Sequence, residues 1–405
     1  MRFTRVAGLC LLFALLLSTP ANAQNYRSAG TGNWNVASTW EVEFPAGSNN
    51  WIGASSPPSN PNDTVRIRNL HTVTINTSPT IRRLVVDGGG TLQFDNTSGR
   101  ILTVGAGGVE IASGGQFNAS GTPQDNGNDT HTLTIQNGGS LTNNGTINFR
   151  RPDGAFFDIV NINLSGNLAG TGTSTFNNIT FNGTSNQTIS IGGTINNVQA
   201  VTYNNTGTAP NNQITNQSTT FTTAINPNTS TFTQGNYRHN NTGIYNVSTG
   251  TVTFGGANMT VTVLQGTMNF ATGDNVQLNL NGGDLIVDGS NAVVNVGGGE
   301  TTDRQKLLTN GTTADITVQN GGTLNVGNGT YGDIRFDGNA GTMLVTGTGS
   351  QVNCGRIVTG NNAGNGGTLT ISNGAIMRVR YNATTAGAAV YFRGTSTINV
   401  QSGAQ

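Results

Sequence analysis

One phrase constrains this chain more than any other. Ile316–Val326, Ile-Thr-Val-Gln-Asn-Gly-Gly-Thr-Leu-Asn-Val, returns as Leu133–Asn143 (LTIQNGGSLTN), as Leu369–Val379 (LTISNGAIMRV) and loosely as Leu84–Phe94 (LVVDGGGTLQF). Each copy is a short run of period two, a Gly/Asn corner and a second such run. Period two is the mark of a half-buried strand, and Gly and Asn tolerate the left-handed backbone of a tight corner. A chain that rewrites strand–corner–strand at near-constant intervals winds a solenoid, each turn burying its apolar residues against the next.

From Asn281 onward the register can be read directly. Phrase starts fall at Leu285, Ile316, Met343, Leu369 and Ile398, with spacings of 31, 27, 26 and 29. Three strands fit each of the best coils: Ile316–Val318, Thr323–Val326 and Asp333–Phe336; then Met343–Val345, Gln351–Cys354 and Arg356–Val358; then Leu369–Ile371, Ile376–Val379 and Ala389–Phe392. This predicts an all-β fold, a right-handed parallel β-helix with three short strands per coil and an N-terminal cap. Alternation points Leu324, Val326, Ile334 and Phe336 inward and Asn325 and Arg335 outward. Cys354 shares the parity of Val326, which makes it a core thiol. Stacked like residues, asparagine above all, can form hydrogen-bonded ladders along such a rod.

Composition agrees and excludes. Thr, Asn and the 59 glycines dominate, charged residues make up 9%, and 18 basic residues balance 18 acidic ones. Nothing here describes a nucleic-acid binder. Residues 1–23 read as a secretory signal: Arg2 and Arg5, the apolar run Val6–Leu17, then the small-x-small site Ala21-Asn22-Ala23 before Gln24. The apolar run is too short for a permanent anchor, and no second one follows. Membrane attachment is therefore expected only through a part not present in this chain. Past the signal Cys354 is the lone cysteine, so the fold is expected to rest on burial and backbone pairing.

Three textures divide the mature chain. Residues 24–130 hold all three tryptophans, Trp34, Trp40 and Trp51, and the cluster Pro57, Pro58 and Pro61. They read as a cap and first coils, since an open solenoid end exposes core and unpaired backbone. An aromatic carbohydrate-binding platform is the alternative. Residues 131–280 read as irregular coils, with an interruption or projecting loop near Thr206–Thr223, and 281–405 as regular repeats. The last phrase, Ile398–Gln405, stops at its corner, so a truncated C-terminus is expected.

Gly32-Asn-Trp-Asn-Val-Ala-Ser-Thr-Trp40, Pro61-Asn-Asp-Thr-Val-Arg-Ile67 and His71-Thr-Val-Thr resemble the opening of large secreted surface proteins of Gram-negative bacteria, many exported by the type IX system. This stretch, roughly residues 26–95, is also distantly similar to the extracellular domain named for its eight glycines. Gly341-Thr-Met-Leu-Val-Thr-Gly-Thr-Gly-Ser-Gln-Val-Asn353 resembles the passenger repeats of autotransporter-like adhesins, over roughly residues 280–405. These resemblances imply a secreted, cell-surface β-helix. They do not fix an activity.

Catalytic signals are sparse. Glycoside hydrolysis wants two carboxylates across a groove. Asp284 and Asp315 align in successive coils, and Asp333 and Asp337 flank one strand; stacked they could approach one another, but they read as solvated corner residues. Outward Arg335, Arg378, Arg380 and Arg393, with Tyr391, could grip an acidic glycan as one stripe. Asp125-Asn-Gly-Asn-Asp129 gathers oxygen ligands in a glycine loop, which makes Asp125 and Asp129 the candidate calcium ligands against a plain polar turn. His71, His131 and His239 lack zinc spacing. Thr-x-Thr pairs such as Thr72/Thr74, Thr231/Thr233 and Thr260/Thr262 would order water if they shared one flat face. The expectation is a secreted, non-enzymatic, adhesin-like stalk or passenger that contacts glycans, surfaces or neighbouring cells without a cofactor. A polysaccharide-degrading enzyme and a carbohydrate-binding module at the tryptophan end are the alternatives.

Overall fold

Runs of alternating Thr, Ile and Val extend into strands of a few residues, and Asn-Gly pairs turn the chain between them. At three copies of the phrase the corner is left-handed at both residues: Asn137 and Gly138, Asn320 and Gly321, Asn373 and Gly374 all have positive φ. A computed structural model describes residues 23–405 apart from 121–127, 154–155, 197–199, 219–228, 248–249, 274–275, 299–304, 312, 328–330, 337–340, 360–365, 381–388 and 393–394.

The strands stack into three parallel ladders, the faces of a β-helix. The first face includes Thr130–Ile135, Asn178–Phe181, Ala200–Asn204, Asp333–Phe336 and Val390–Phe392. The second includes Leu141–Asn143, Gln187–Ile191, Asp284–Asp288, Asp315–Gln319 and Thr397–Val400. The third includes Thr146–Asn148, Ala292–Val296, Thr323–Val326, Gln351–Cys354 and Ile376–Val379. Longer strands, Ile101–Ile111, Thr229–Asn246 and Met259–Phe270, bend around corners and serve more than one face. Pairing is in register from coil to coil, as in Leu285↔Ile316, Ile316↔Met343, Met343↔Leu369 and Leu369↔Ile398.

The ladders correct one alignment. Leu84–Val86 pairs with Val109–Ile111, which pairs with Leu141–Asn143 on the second face. The copy at Leu133 therefore begins one face earlier than those at Leu84, Ile316 and Leu369. Its Asn-Gly corner sits between faces one and two, whereas theirs sit between faces two and three. A corner is a local device, so the same residues serve at either edge.

The core is continuous. Leu324, Val326, Ile334, Phe336 and Cys354 are fully buried, and burial pushes the Cys354 thiol up to about 12. A spine of rings runs through the earlier coils: Phe94, Phe117 and Phe149 lie at successive centroid distances of 5.8 and 4.8 Å, and Phe181, Tyr203 and Phe232 at 5.8 and 5.1 Å. The ladders run through residues 130 and 280 without a break, as in Thr132↔Ile101, Thr130↔Ile159 and Leu278↔Leu307. Among the described residues no helix is long and apolar enough to cross a membrane.

At the N-terminal end the parallel order stops. Asn25–Ser28 pairs parallel with Thr64–Ile67 but antiparallel with Trp40–Glu43, which pairs antiparallel with Trp51–Gly53. That three-stranded turn-back covers the first coil and replaces an open parallel edge.

Candidate functional site

The tryptophans divide between core and surface. Trp34 and Trp40 are buried and meet edge to face, centroids 4.9 Å apart. The Trp34 indole N–H donates to the Pro58 carbonyl at 2.9 Å, and that of Trp40 to the Trp34 carbonyl at 2.8 Å. With rings enclosed and N–H groups spent, neither can stack on a sugar. Trp51 is half-buried, its indole N–H donates to Asn49 and the Arg27 guanidinium lies 4.3 Å over its ring. The three do not form a platform.

Nor do the C-terminal arginines form one stripe. Arg335 and Tyr391 stand on the first face, in one column through Val358. Arg378 and Arg380 belong to the third-face strand Ile376–Val379 and the corner that follows it. Arg393 lies outside the described residues. The four described residues thus stand on two faces, because they belong to two different strands of the coil.

What the third face does assemble is a ladder of amides. Asn269 Nδ2 donates to Asn246 Oδ1 at 2.6 Å, Asn295 to Asn269 at 2.8 Å, Asn325 to Asn295 at 2.9 Å and Asn353 to Asn325 at 2.8 Å. Each internal rung spends one N–H and one lone pair, leaving a second of each for a ligand. The following corner positions are Ala271, Gly297, Gly327 and Gly355, and the register Asn353↔Arg378 brings Arg380 to the next. Gly297 and Gly327 are left-handed, and a Cβ on Gly327 would meet the Tyr331 carbonyl oxygen at 1.6 Å. The glycine corners at Gly297 and Gly327 open a trough of about 670 Å³ beside the amides, and the exposed Arg380 stands at its end. Arg380 has no ion pair or side-chain hydrogen bond among the described residues, and Arg378 donates to Gln351 at 2.7 Å.

The sequence carries a signal of this trough that strand phase alone does not reveal. Asn295-Val-Gly297, Asn325-Val-Gly327 and Asn353-Cys-Gly355 repeat the pattern Asn-x-Gly at coil spacing. Chemically the arrangement offers alternating donors and acceptors at a rung spacing of about 4.8 Å, with one cation. It suits a hydroxyl-rich chain lying along the rod.

Other chemistry is dispersed. Asp284 and Asp315 do stack on the second face: the Asp315 N–H donates to Asp284 Oδ1 at 3.3 Å, and the Thr342 hydroxyl to Asp315 Oδ1 at 2.6 Å. Burial holds the Asp284 acid above its usual range. Asp125 lies outside the described residues; Asp129 is buried, with its N–H on the enclosed Asp158 carboxylate. Among the described residues no group of three His, Cys, Asp or Glu could hold a metal. His71 shares a hydrogen bond with Ser28, while His131 and His239 are buried in the core. Thr72/Thr74, Thr231/Thr233 and Thr260/Thr262 fall on the third, first and second faces, so they are not one flat rank. A second groove of about 500 Å³ between faces one and two, at Asn137, Ser165 and Asn182, contains no charged side chain.

Neither the curated proteins nor the solved structures give a match to this chain. Its first coils do match a known domain: residues 50–196, from inside the cap to the strand Ile195–Asn196 that ends the first run of the third face, match the G8 domain, which is typical of extracellular proteins.

Proposed function

We propose that this chain is a secreted, non-enzymatic scaffold of the cell surface, an adhesin-like stalk whose third face binds carbohydrate along the asparagine trough. The observation that supports this most is the four-bond amide ladder beside the glycine corners at Gly297 and Gly327, ending at a charge that no described residue neutralises. Amides pair with hydroxyl groups in either direction, and a fixed ladder loses little freedom on binding. The G8 match at residues 50–196 fits an extracellular setting. The rigid core supplies the rest of the mechanism, since it holds the rungs at constant spacing over the length of a glycan.

The test is retention of the exported chain on immobilised neutral and acidic polysaccharides. Asn295→Leu together with Asn325→Leu should weaken retention at least ~10-fold, the loss of one or two good polar contacts, and Arg380→Ala should weaken acidic glycans selectively. Unchanged retention by all these variants would sink the trough. The stacked pair Asp284 and Asp315 favours a second reading, a polysaccharide-cleaving enzyme on the second face. New reducing ends or unsaturated products, abolished by Asp315→Asn, would establish that reading and remove the scaffold one.

A further inference from the structure

A carboxylate sits where the chain enters its fold, enclosed and without a counter-charge. Asp63 is 2% exposed. Its Oδ1 accepts the Gln24 N–H at 3.2 Å and its Oδ2 the Asn60 N–H at 3.1 Å. Of the arginines on these strands, Arg27 and Arg68 pair with Glu41, Arg66 with Asp87 and Arg83 with Glu110, while Arg82 donates to the Thr64 hydroxyl. No cation among the described residues pairs with Asp63, and burial raises its acid above the usual range. A buried carboxylate satisfied only by neutral N–H groups is costly.

Gln24 is held from three directions. Its carbonyl accepts the Thr64 N–H at 2.9 Å, its Oε1 accepts the Tyr26 hydroxyl at 2.6 Å, and its own N–H points at Asp63. These groups line a polar pocket of about 290 Å³ together with Ser56 and Ser59. Directly before Gln24 stands Ala21-Asn22-Ala23, the small-x-small sequence that a signal peptidase would cut. Hydrolysis of the Ala23–Gln24 bond adds water across it: Ala23 leaves with the new carboxylate, and Gln24 keeps an amine that is protonated near neutrality.

We propose that the Asp63 pocket is a receptor for the chain's own processed N-terminus: cleavage after Ala23 places the Gln24 α-ammonium on the Asp63 carboxylate and locks the first strand of the cap. The neutral donor becomes a charged one in place, so an enclosed anion gains its counter-ion without rearrangement. Maturation then tightens the end of the rod that the antiparallel cap must close. The same contacts protect the terminus. Cyclisation of an N-terminal glutamine requires the free amine to attack its own side-chain amide carbon and expel ammonia. In the processed chain Asp63 holds the amine protonated, and the Tyr26 hydroxyl restrains the side-chain amide by its oxygen.

The experiment compares two forms of the full mature chain, one beginning at Gln24 and one that retains Asn22-Ala23, whose Gln24 nitrogen remains an amide. Hydrogen exchange in Asn25–Ser28 and Thr64–Ile67 should be at least ~10-fold slower in the form beginning at Gln24, and Asp63→Asn should erase the difference. The wild-type pair alone is decisive if that variant fails to fold. Equal exchange in the two wild-type forms overturns the proposal. So does an exported chain whose N-terminus lies elsewhere, or one whose Gln24 has cyclised with loss of ammonia.

Discussion

The middle coils and the C-terminal coils share the same three ladders and differ in what fills them. From Asp284 to Ser372 the second-face core columns are aliphatic and repetitive: Leu285, Ile316, Met343 and Leu369 stack in one, Val287, Val318, Val345 and Ile371 in another. Between Ala200 and Phe270 the core holds Tyr203, Tyr237 and Tyr245, all fully buried, with Phe232, Phe254 and Phe270. The Tyr203 and Tyr245 hydroxyls share a bond of 2.8 Å, Ser230 meets Tyr245 at 3.0 Å, and Asn216 donates to Tyr237 at 3.2 Å. Burial raises all three phenols above their usual range, Tyr203 and Tyr237 the most. The ladder therefore tolerates two kinds of core. One is interchangeable from coil to coil, and the other is bespoke because every buried polar atom needs its own partner.

Removing one ring from the bespoke core should separate the two regions most. Phe232 touches Tyr203, Tyr237, Phe254 and Phe270, with centroids 5.1 to 6.0 Å away. Phe232→Ala should cost about 3–5 kcal/mol, by lost burial and an unfilled cavity. Val345→Ala in the repetitive core should cost about 1–3 kcal/mol, having less to lose. Because each coil touches only its neighbours, hydrogen exchange should report each loss locally. Uniform loosening of the whole rod by either variant would show that the two cores unfold as one unit.

Acid should separate the regions next. His239 is fully buried beside Tyr245, neither ring nitrogen has a hydrogen-bond partner among the described residues, and burial pushes it down to about 4. An unfolded histidine titrates near 6.5. The folded pKa is depressed, so the unfolded chain binds the proton first. Above about pH 6.5 the group is neutral in both states and costs nothing. Between about 6.5 and 4 stability falls with pH, reaching a loss on the order of 3 kcal/mol. No histidine follows His239 in the sequence, so the C-terminal coils carry no such liability. Exchange in Thr229–Asn246 should accelerate between pH 6.5 and 4.5 while Thr342–Thr346 follows only the intrinsic rate. His239→Leu should remove the difference.

These two cores also explain what could be read from sequence. The regular coils were legible because an aliphatic column can repeat, and repetition revealed strand phase down to Cys354. The middle reads as irregular because Tyr203 and Tyr237 answer to partners in other coils, at no fixed interval. The copy at Leu133 was legible as a corner but not as a face, since an Asn-Gly turn carries no record of which edge it occupies. The tryptophans were legible as a cap by the need to close an end. Arg335 and Arg378 fall in different strands of the coil even as read from sequence, the third and the second, so outward parity alone groups residues that strand order separates.

The smallest expected effect is the most discriminating for the trough. In Asn325→Ala the Asn353 N–H and the Asn295 oxygen lose their partners. Both side chains are only partly buried, so water replaces the missing amide, and the cost should stay below about 1 kcal/mol. A structural ladder and a binding ladder then predict opposite things. If the amides chiefly hold coils together, Asn325→Ala should lower the unfolding midpoint while leaving retention on polysaccharide intact. If they serve as a ruled surface for hydroxyl groups, the midpoint should barely move. Retention should then fall by the same factor whether Asn295 or Asn325 is replaced, because neighbouring rungs face neighbouring units of one chain. Chemical denaturation and affinity electrophoresis on the same three proteins decide between them, and the aliphatic core beneath, untouched by either substitution, is what keeps the two readouts independent.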